Sequence, residues 1–295
     1  MPLVNGKVVF EFARQNCFAV GSFNADNMEV MQAIIETAKE ERAPVSLQLG
    51  PKSIGYAGLA MLAGMVKIAA AQVDVPVVLH LDHGTGFEQN LMCLREGFTS
   101  LMFDGSRLPY EENVAKTAKI VEIAHIAGVP LEAELGQVLQ AGALPEQVAA
   151  AMTDPDQALD FVKRTGCDLL AVAVGSIHQM RGREADLDIP RIKAIYEWVR
   201  IPLVLHGSSG VKHESLAEAI EYGVTKINVA TYIKDGFVSH LRKVMAEKPD
   251  EVDVRALLGP AREAAKERVR EKMRVFGASN RISSSGAFIS PATRH

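Results

Sequence analysis

A chain of 295 residues has room for two average domains or for one large α/β barrel. With 48% hydrophobic and 23% charged residues it carries the material for a sizeable core, which excludes a disordered chain. Against 36 Asp and Glu stand 32 Lys and Arg, a formal charge of −4. The overall charge therefore attracts neither nucleic acid nor an anionic membrane, and any anion must be caught locally.

The termini and cysteines narrow the setting. Cys17, Cys93 and Cys167 are far apart and outside any C-x-x-C pattern, so neither a disulfide framework nor a zinc ribbon is indicated and a reducing cytoplasm fits. The N-terminal MPLVNGKVVFEFARQ has no export signature, and no stretch approaches about 18 uninterrupted apolar residues. A cytoplasmic protein without a membrane span is expected.

Along the chain, short apolar runs ending in Gly, Asn, Asp or His read as buried parallel strands: FAVGSFN, PVSLQLG, PVVLHLDHG, SLMFDG, PLEAELG, LLAVAVG, PLVLHG and KINVAT. Amphipathic stretches such as MEVMQAIIETAKEE and ENVAKTAKIVEIAHIAG separate them. Eight alternating units predict closure into a (β/α)8 barrel of the TIM type, in preference to a doubly wound open sheet, because no G-x-G-x-x-G follows the first run. A charged helix around PAREAAKERVREKMRVFG follows. One domain, 1–281, is expected, with residues 282–295 a mobile tail or an arm laid on a neighbour. The stretches Gly136–Thr153 and Gly175–Asp188 read as mobile surface loops.

In such a barrel Asp82, His83, Asp104, Glu134, His178 and His206 fall at the C-terminal ends of strands, the face that carries active sites. Three imidazoles from three strand ends make a zinc ligand set with an open fourth position, so His83, His178 and His206 are the candidate ligands. Asp104 and Glu134 suit a second or alternative metal position, or hydrogen bonds along the rim. Asp82 is the candidate acid/base, a role that requires the strand to have turned, because neighbours in an ideal strand point to opposite faces and Gly84 would have to provide the turn. His80, inside an apolar run, reads as a hydrogen-bonded core residue. HGSSG and NVAT, after the seventh and eighth runs, offer backbone N–H groups with Ser209, Asn228 and Thr231, a phosphate-binding arrangement to which Lys226 or Lys234 would add charge.

Taken in order, VLHLDHG, SLMFDGS, LEAELG, AVAVGSIH, LHGSSG and KINVAT resemble the class II, metal-dependent ketose-bisphosphate aldolases over nearly the whole chain. The resemblance implies zinc on His83, His178 and His206, with Asp104 and Glu134 near an alternative position. It makes Asp82 the acid/base at the C4 hydroxyl. Asn24, the amides around Gln179 and Gly207, Ser209, Asn228 and Thr231 would hold glycerone phosphate, a monovalent cation (Na+ or K+) would assist, and the assembly would be a homodimer or homotetramer. The implied reaction cleaves a ketose 1-phosphate with a distal anion, tagatose or fructose 1,6-bisphosphate by default, into glycerone phosphate and a three-carbon aldehyde.

Departures from the family pattern cluster on the aldehyde side. Ala230 and Tyr232 stand where acidic residues are common, and LGPKS brings Lys52 toward the distal anion. Gln179 replaces a usual glycine and is followed by Arg181 and Arg183. Gly142 occupies the place of a usual loop glutamate, leaving Glu146 as the candidate replacement. Arg262, Arg268 and Arg274 lie on the late helix, from which Arg268 would reach an adjacent subunit's distal phosphate. An altered distal half leaves open a ketose phosphate ending in a sulfonate or carboxylate, such as sulfofructose phosphate. A TIM-barrel metallohydrolase and a non-catalytic regulatory subunit are the rivals from other classes.

Overall fold

Each of the eight apolar runs forms a strand of one parallel sheet: β1 Val20–Asn24, β2 Val45–Leu49, β3 Val77–Leu81, β4 Leu101–Phe103, β5 Leu131–Leu135, β6 Leu169–Val172, β7 Leu203–Leu205 and β8 Val224–Val229. The computed structural model describes residues 3–179, 182 and 185–289. The strand order is β3-β2-β1-β8-β7-β6-β5-β4. Closure comes through one further parallel bridge, His80 to Ser100, where Thr99 N donates to Leu79 O at 2.9 Å and Leu81 N to Ser100 O at 3.1 Å. The expected (β/α)8 barrel is therefore formed, and the open doubly wound sheet is excluded.

Helices pack on the outside because their apolar stripes have nowhere else to go. Their starts are set locally: Asn27, Asp154 and Asp188 each accept a backbone N–H in the first turn, and proline opens the helices Pro155–Thr165 and Ile189–Val199 near their N-termini. A separate helix, Gly6–Gln15, plugs the N-terminal end of the barrel. Val4 N donates to Val77 O and Gly6 N to Thr99 O, both at 2.9 Å, and Val9, Phe10 and Ala13 are fully buried. The late helix Val254–Val275 lies along Met28–Glu40, bound by Lys266 to Glu40 at 2.7 Å, Arg274 to Glu41 at 2.7 Å and Arg262 to Gln32 at 3.0 Å.

Three segments differ from expectation. LLAVAVG yields only a four-residue strand, because beyond it Thr153 takes over the pairing: Thr153 N donates to Ala173 O at 2.9 Å and Ala173 N to Thr153 Oγ1 at 2.8 Å. The stretch after Gly136 is not a free loop. It contains the helix Pro145–Ala150 and is fastened by Gln137 N to Ala151 O at 2.8 Å. The start of the expected tail is also docked, with Ile282 buried, Ile282 and Phe288 bridged antiparallel, and the Phe288 ring 4.4 Å from that of Phe12. Residues 290–295 lie outside the described residues.

Truncating the plug tests its contribution. Phe10→Ala removes a fully buried ring and is expected to cost about 3–5 kcal/mol, read from the shift of the urea midpoint. A loss below about 1 kcal/mol would mean that the plug contributes little to the core.

Candidate functional site

The strand ends open on a cavity of about 910 Å³ at the C-terminal face of the barrel. β3 delivers two residues to it. Leu81 is the last residue of the strand, and His83 then adopts φ 49°, a left-handed conformation uncommon for a side-chain-bearing residue. That turn brings Asp82 and His83 to one site, with His83 Nε2 3.9 Å from Asp82 Oδ1. Gly84 makes it possible: a Cβ there would lie 2.1 Å from Met102 O, so no other residue fits without backbone movement. Gly207 plays the same part after β7, with φ 66° and a would-be Cβ 2.8 Å from the Ile177 carbonyl carbon.

His83, His178 and His206 converge, each offering a ring nitrogen within 4.8 Å of the others, and His83, Asp104 and Glu134 form a second such group. His206 is fully buried, while His83 and His178 are half-buried. His206 Nε2 lies 2.9 Å from Glu132 Oε1, whereas its Nδ1 has no hydrogen-bond partner among the described residues and lies 3.4 Å from Glu134 Oε2, another buried atom without one. Buried polar atoms left unpaired and facing one another are costly unless a cation joins them. The donor set, three imidazoles flanked by carboxylates, fits zinc. His83 Nδ1 is held 2.7 Å from Asp104 Oδ2, and Asp104 Oδ1 accepts from Ser106 Oγ at 2.7 Å.

The electrostatics follow burial. It pushes His178 down to about 4, with the charge on His83 adding to the effect, and it holds His206 well below the usual imidazole range. His83 goes the other way: burial opposes its charged form, but Asp82 and the hydrogen bond to Asp104 outweigh it and raise the ring to about 10. Glu134 is raised to about 8 by burial, reinforced by Asp104. Burial thus favours the neutral form of His178 and His206, whereas the carboxylates around His83 favour its charged form.

Asp82 is buried and fixed by three amides. Asn24 Nδ2 and Gln48 Nε2 each reach Asp82 Oδ2 at 3.2 Å, and Asn228 Nδ2 reaches Oδ1 at 3.0 Å. Ser209 and Thr231 line the cavity with Gly207, and Ser209 Oγ accepts from Tyr232 N at 3.3 Å. The helix Thr231–Glu247 starts at the cavity, and its N-cap residue Ala230 offers no capping side chain, an arrangement suited to an anion. Gln179, at φ 65°, and exposed Lys52 line the same cavity. Lys234 does too, paired with Asp26 at 2.5 Å.

Other expected residues lie elsewhere. Lys226 does not face the cavity: it is fully buried inside the barrel, 2.8 Å from Glu132 Oε2 and 2.7 Å from Asn228 Oδ1. Glu146 is exposed on its helix and is not part of the cavity wall. Arg268 lies over the Tyr232 ring at 4.2 Å, donates to Tyr232 O at 3.3 Å and pairs with Asp235 at 3.4 Å; it is not itself part of the cavity wall, although Asp235 is. Arg262 and Arg274 serve the helix pairing described above. Arg181 and Arg183 lie outside the described residues. His80 is a core residue, fully buried with Nδ1 2.8 Å from Ser100 Oγ.

Sequence reasoning passed over Gln48, Glu132 and Arg107. The first two had a signal: Ser46 and Gln48, and Glu132 and Glu134, are polar residues at i, i+2 within apolar strands, so each pair points inward. Arg107, an exposed residue lining the cavity after β4, had none.

Residues 4–281 match the family model for class II fructose-bisphosphate aldolase. The chain is 43% identical over 286 residues to a probable fructose-bisphosphate aldolase of Bacillus subtilis, covering 95% of this chain and 99% of that one. It is 41% identical over 308 residues to the fructose-bisphosphate aldolase of Thermus caldophilus, with the same coverage. The crystal structure of the YdjI aldolase from Escherichia coli superposes with a TM-score of 0.82 at 34% identity, covering 94% of this chain and 98% of that one.

The upward shift of His83 has a measurable consequence. Zinc needs the neutral ring, so at neutral pH its binding to the metal-free protein is expected to release about one proton from His83, plus a share from Glu134, and affinity should climb as pH rises toward about 10. Titration calorimetry in buffers of different ionisation enthalpy counts the protons. Binding without proton release would remove His83 from the ligand set.

Proposed function

Because the chain belongs to the class II fructose-bisphosphate aldolase family, an aldehyde-lyase family for which zinc dependence is the general property, we propose that it cleaves a ketose 1,6-bisphosphate into glycerone phosphate and a three-carbon aldehyde phosphate, with Asp82 as its acid/base. Fructose and tagatose 1,6-bisphosphate are the leading substrates. The observation that carries this reading is the convergence of His83, His178 and His206 beside a carboxylate held by three amides.

His83, His178 and His206 would hold zinc, with Asp104 and Glu134 offering an alternative position; their fit rests on the unpaired Nδ1 of His206 and Oε2 of Glu134. When bound, zinc supplies the Lewis acidity that draws electron density from a substrate ketone. Asp82 takes the proton of the C4 hydroxyl as the C3–C4 bond breaks. Asn24, Gln48 and Asn228 hold both of its oxygens in place, so little reorientation remains for the reacting state.

Gly207, Ser209, Asn228 and Thr231, around the helix N-terminus, would hold the glycerone-phosphate end, with Asn24, Gln179 and Lys234 beside it. A monovalent cation, Na+ or K+, belongs to the same reading. In a ring of eight strands β4 stands across from β8, so Arg107 faces this end from the opposite side of the mouth. With Lys52 it supplies positive charge for the distal anion. Glu146 is the one acidic residue between Gly136 and Thr153, and it is the candidate for delivering a proton to C3 if the segment closes over the site.

The assembly is read as a homodimer or homotetramer, supported by the exposed apolar Tyr56, Met61 and Ile68 on two neighbouring helices. Arg268 would reach a neighbouring subunit only by leaving Tyr232. Free cysteines, and the lack among the described residues of any single helix long and apolar enough to cross a membrane, accord with a cytoplasmic location.

Glycerone phosphate released from fructose and tagatose 1,6-bisphosphate by the zinc-loaded protein tests the reaction, and release from neither would reject it. Chelation should abolish turnover. Asp82→Ala should lower kcat by about 10²–10⁴-fold while zinc content stays at the parent level. Unchanged kcat would take the acid/base role from Asp82.

A further inference from the structure

We propose that Lys226 is a positioning residue: a single buried ammonium holds the His206 ring through Glu132 and the Asp82 carboxylate through Asn228. The inference rests on the reading of His206 as a metal ligand and goes beyond it to what aims that ligand. Lys226 and Asn228 alternate along β8, so both point into the barrel, as Glu132 and Glu134 do along β5. Lys226 Nζ lies 2.8 Å from Glu132 Oε2 and 2.7 Å from Asn228 Oδ1; both Lys226 and Glu132 are fully buried.

Donor and acceptor identity fixes the rest. An ammonium only donates and an ionised carboxylate only accepts. Between Lys226 and Asp82, therefore, the Asn228 amide has one orientation that satisfies both neighbours, Oδ1 toward Lys226 and Nδ2 toward Asp82 at 3.0 Å. Glu132, with one oxygen toward the ammonium, presents the other to His206 Nε2 at 2.9 Å. That contact puts the ring proton on Nε2 and leaves Nδ1 bare, aimed toward Glu134 and the other two histidines. His80 completes the enclosure, its Nε2 3.5 Å from Glu132 Oε2 and its Nδ1 on Ser100. The chain Asp82, Asn228, Lys226, Glu132, His206 thus runs from the cavity wall into the barrel interior with a lysine at its midpoint.

The test uses the full chain in zinc-free and zinc-loaded forms. Lys226→Met alone would strand a buried carboxylate, so it is paired with the charge-neutral double variant Lys226→Met/Glu132→Gln. In the double variant, zinc affinity by chelator competition should weaken about 10–100-fold, nitrogen-15 NMR of the zinc-free protein should show both His206 tautomers, and the Asn228 carboxamide protons should exchange with solvent faster than in the parent. Zinc affinity within about twofold of the parent, or unchanged carboxamide exchange, overturns the proposal. The parent provides an arm independent of variant folding: its zinc-free His206 must be protonated at Nε2, and an Nδ1–H ring overturns the proposal. A parent that binds no zinc at all would instead overturn the metal reading, leaving the tautomer and exchange results to decide Lys226.

Discussion

Polar side chains directed into a closed barrel have only one another for partners, and the site is built on how they satisfy that constraint. The strands leave no edge to water, and His80, Glu132, His206 and Lys226 have no exposed surface. A charge in such a place must be paired, and a pair earns its desolvation only when the remaining donors and acceptors are also met. Glu132 is where these demands meet, with Lys226 on one oxygen and His206 on the other. The ring nitrogen that His206 leaves bare, and the amide that Asn228 turns to Asp82, both follow from that arrangement. The chemistry at the rim is therefore specified one layer below it.

Much of the architecture could be read from the chain because buried parallel strands are apolar on both faces and stand out as continuous runs. His83 and His206 were legible because they stand at the ends of such runs, and His178 because it comes three residues after one. That Asp82 and His83 share a site depended on a turn, and Gly84 was its visible sign. Lys226 was misplaced for an instructive reason: beside a phosphate-like motif a lysine suggests a ligand, yet K-I-N alternates inside a strand and so sends Lys226 and Asn228 to the interior. Glu146, Arg268 and Arg107 were undecidable from sequence because the direction of a long side chain on a loop or outer helix is set by its packing, here by Tyr232 in the case of Arg268.

The two sides of the mouth are built from different materials. Around β7 and β8 the wall is backbone, small side chains and a helix N-terminus, held by contacts such as Ser208 Oγ to Asn228 O at 2.6 Å. Across from it stands Arg107, a long exposed side chain on the connection after β4, while exposed Lys52 lines the mouth from the helix that follows β2. A rigid wall suits the half of a substrate common to every member of a reaction class, while adjustable cations suit the half that varies. The departures from the family pattern at Lys52 and Gln179 fall on connections rather than on strands.

The segment beyond β5 is joined to the backbone on both sides of one imidazole: His178 N donates to Leu139 O at 2.8 Å, and Ala141 N donates to His178 O at 2.9 Å. This small ladder makes His178 a rider on the strap that borders the cavity. Any swing of the strap, whether driven by a ligand or by heat, has either to break both bonds or to carry the ring along. While both bonds hold, strap and imidazole are one mechanical unit, and the aim of His178 is set from β5 as much as from β6.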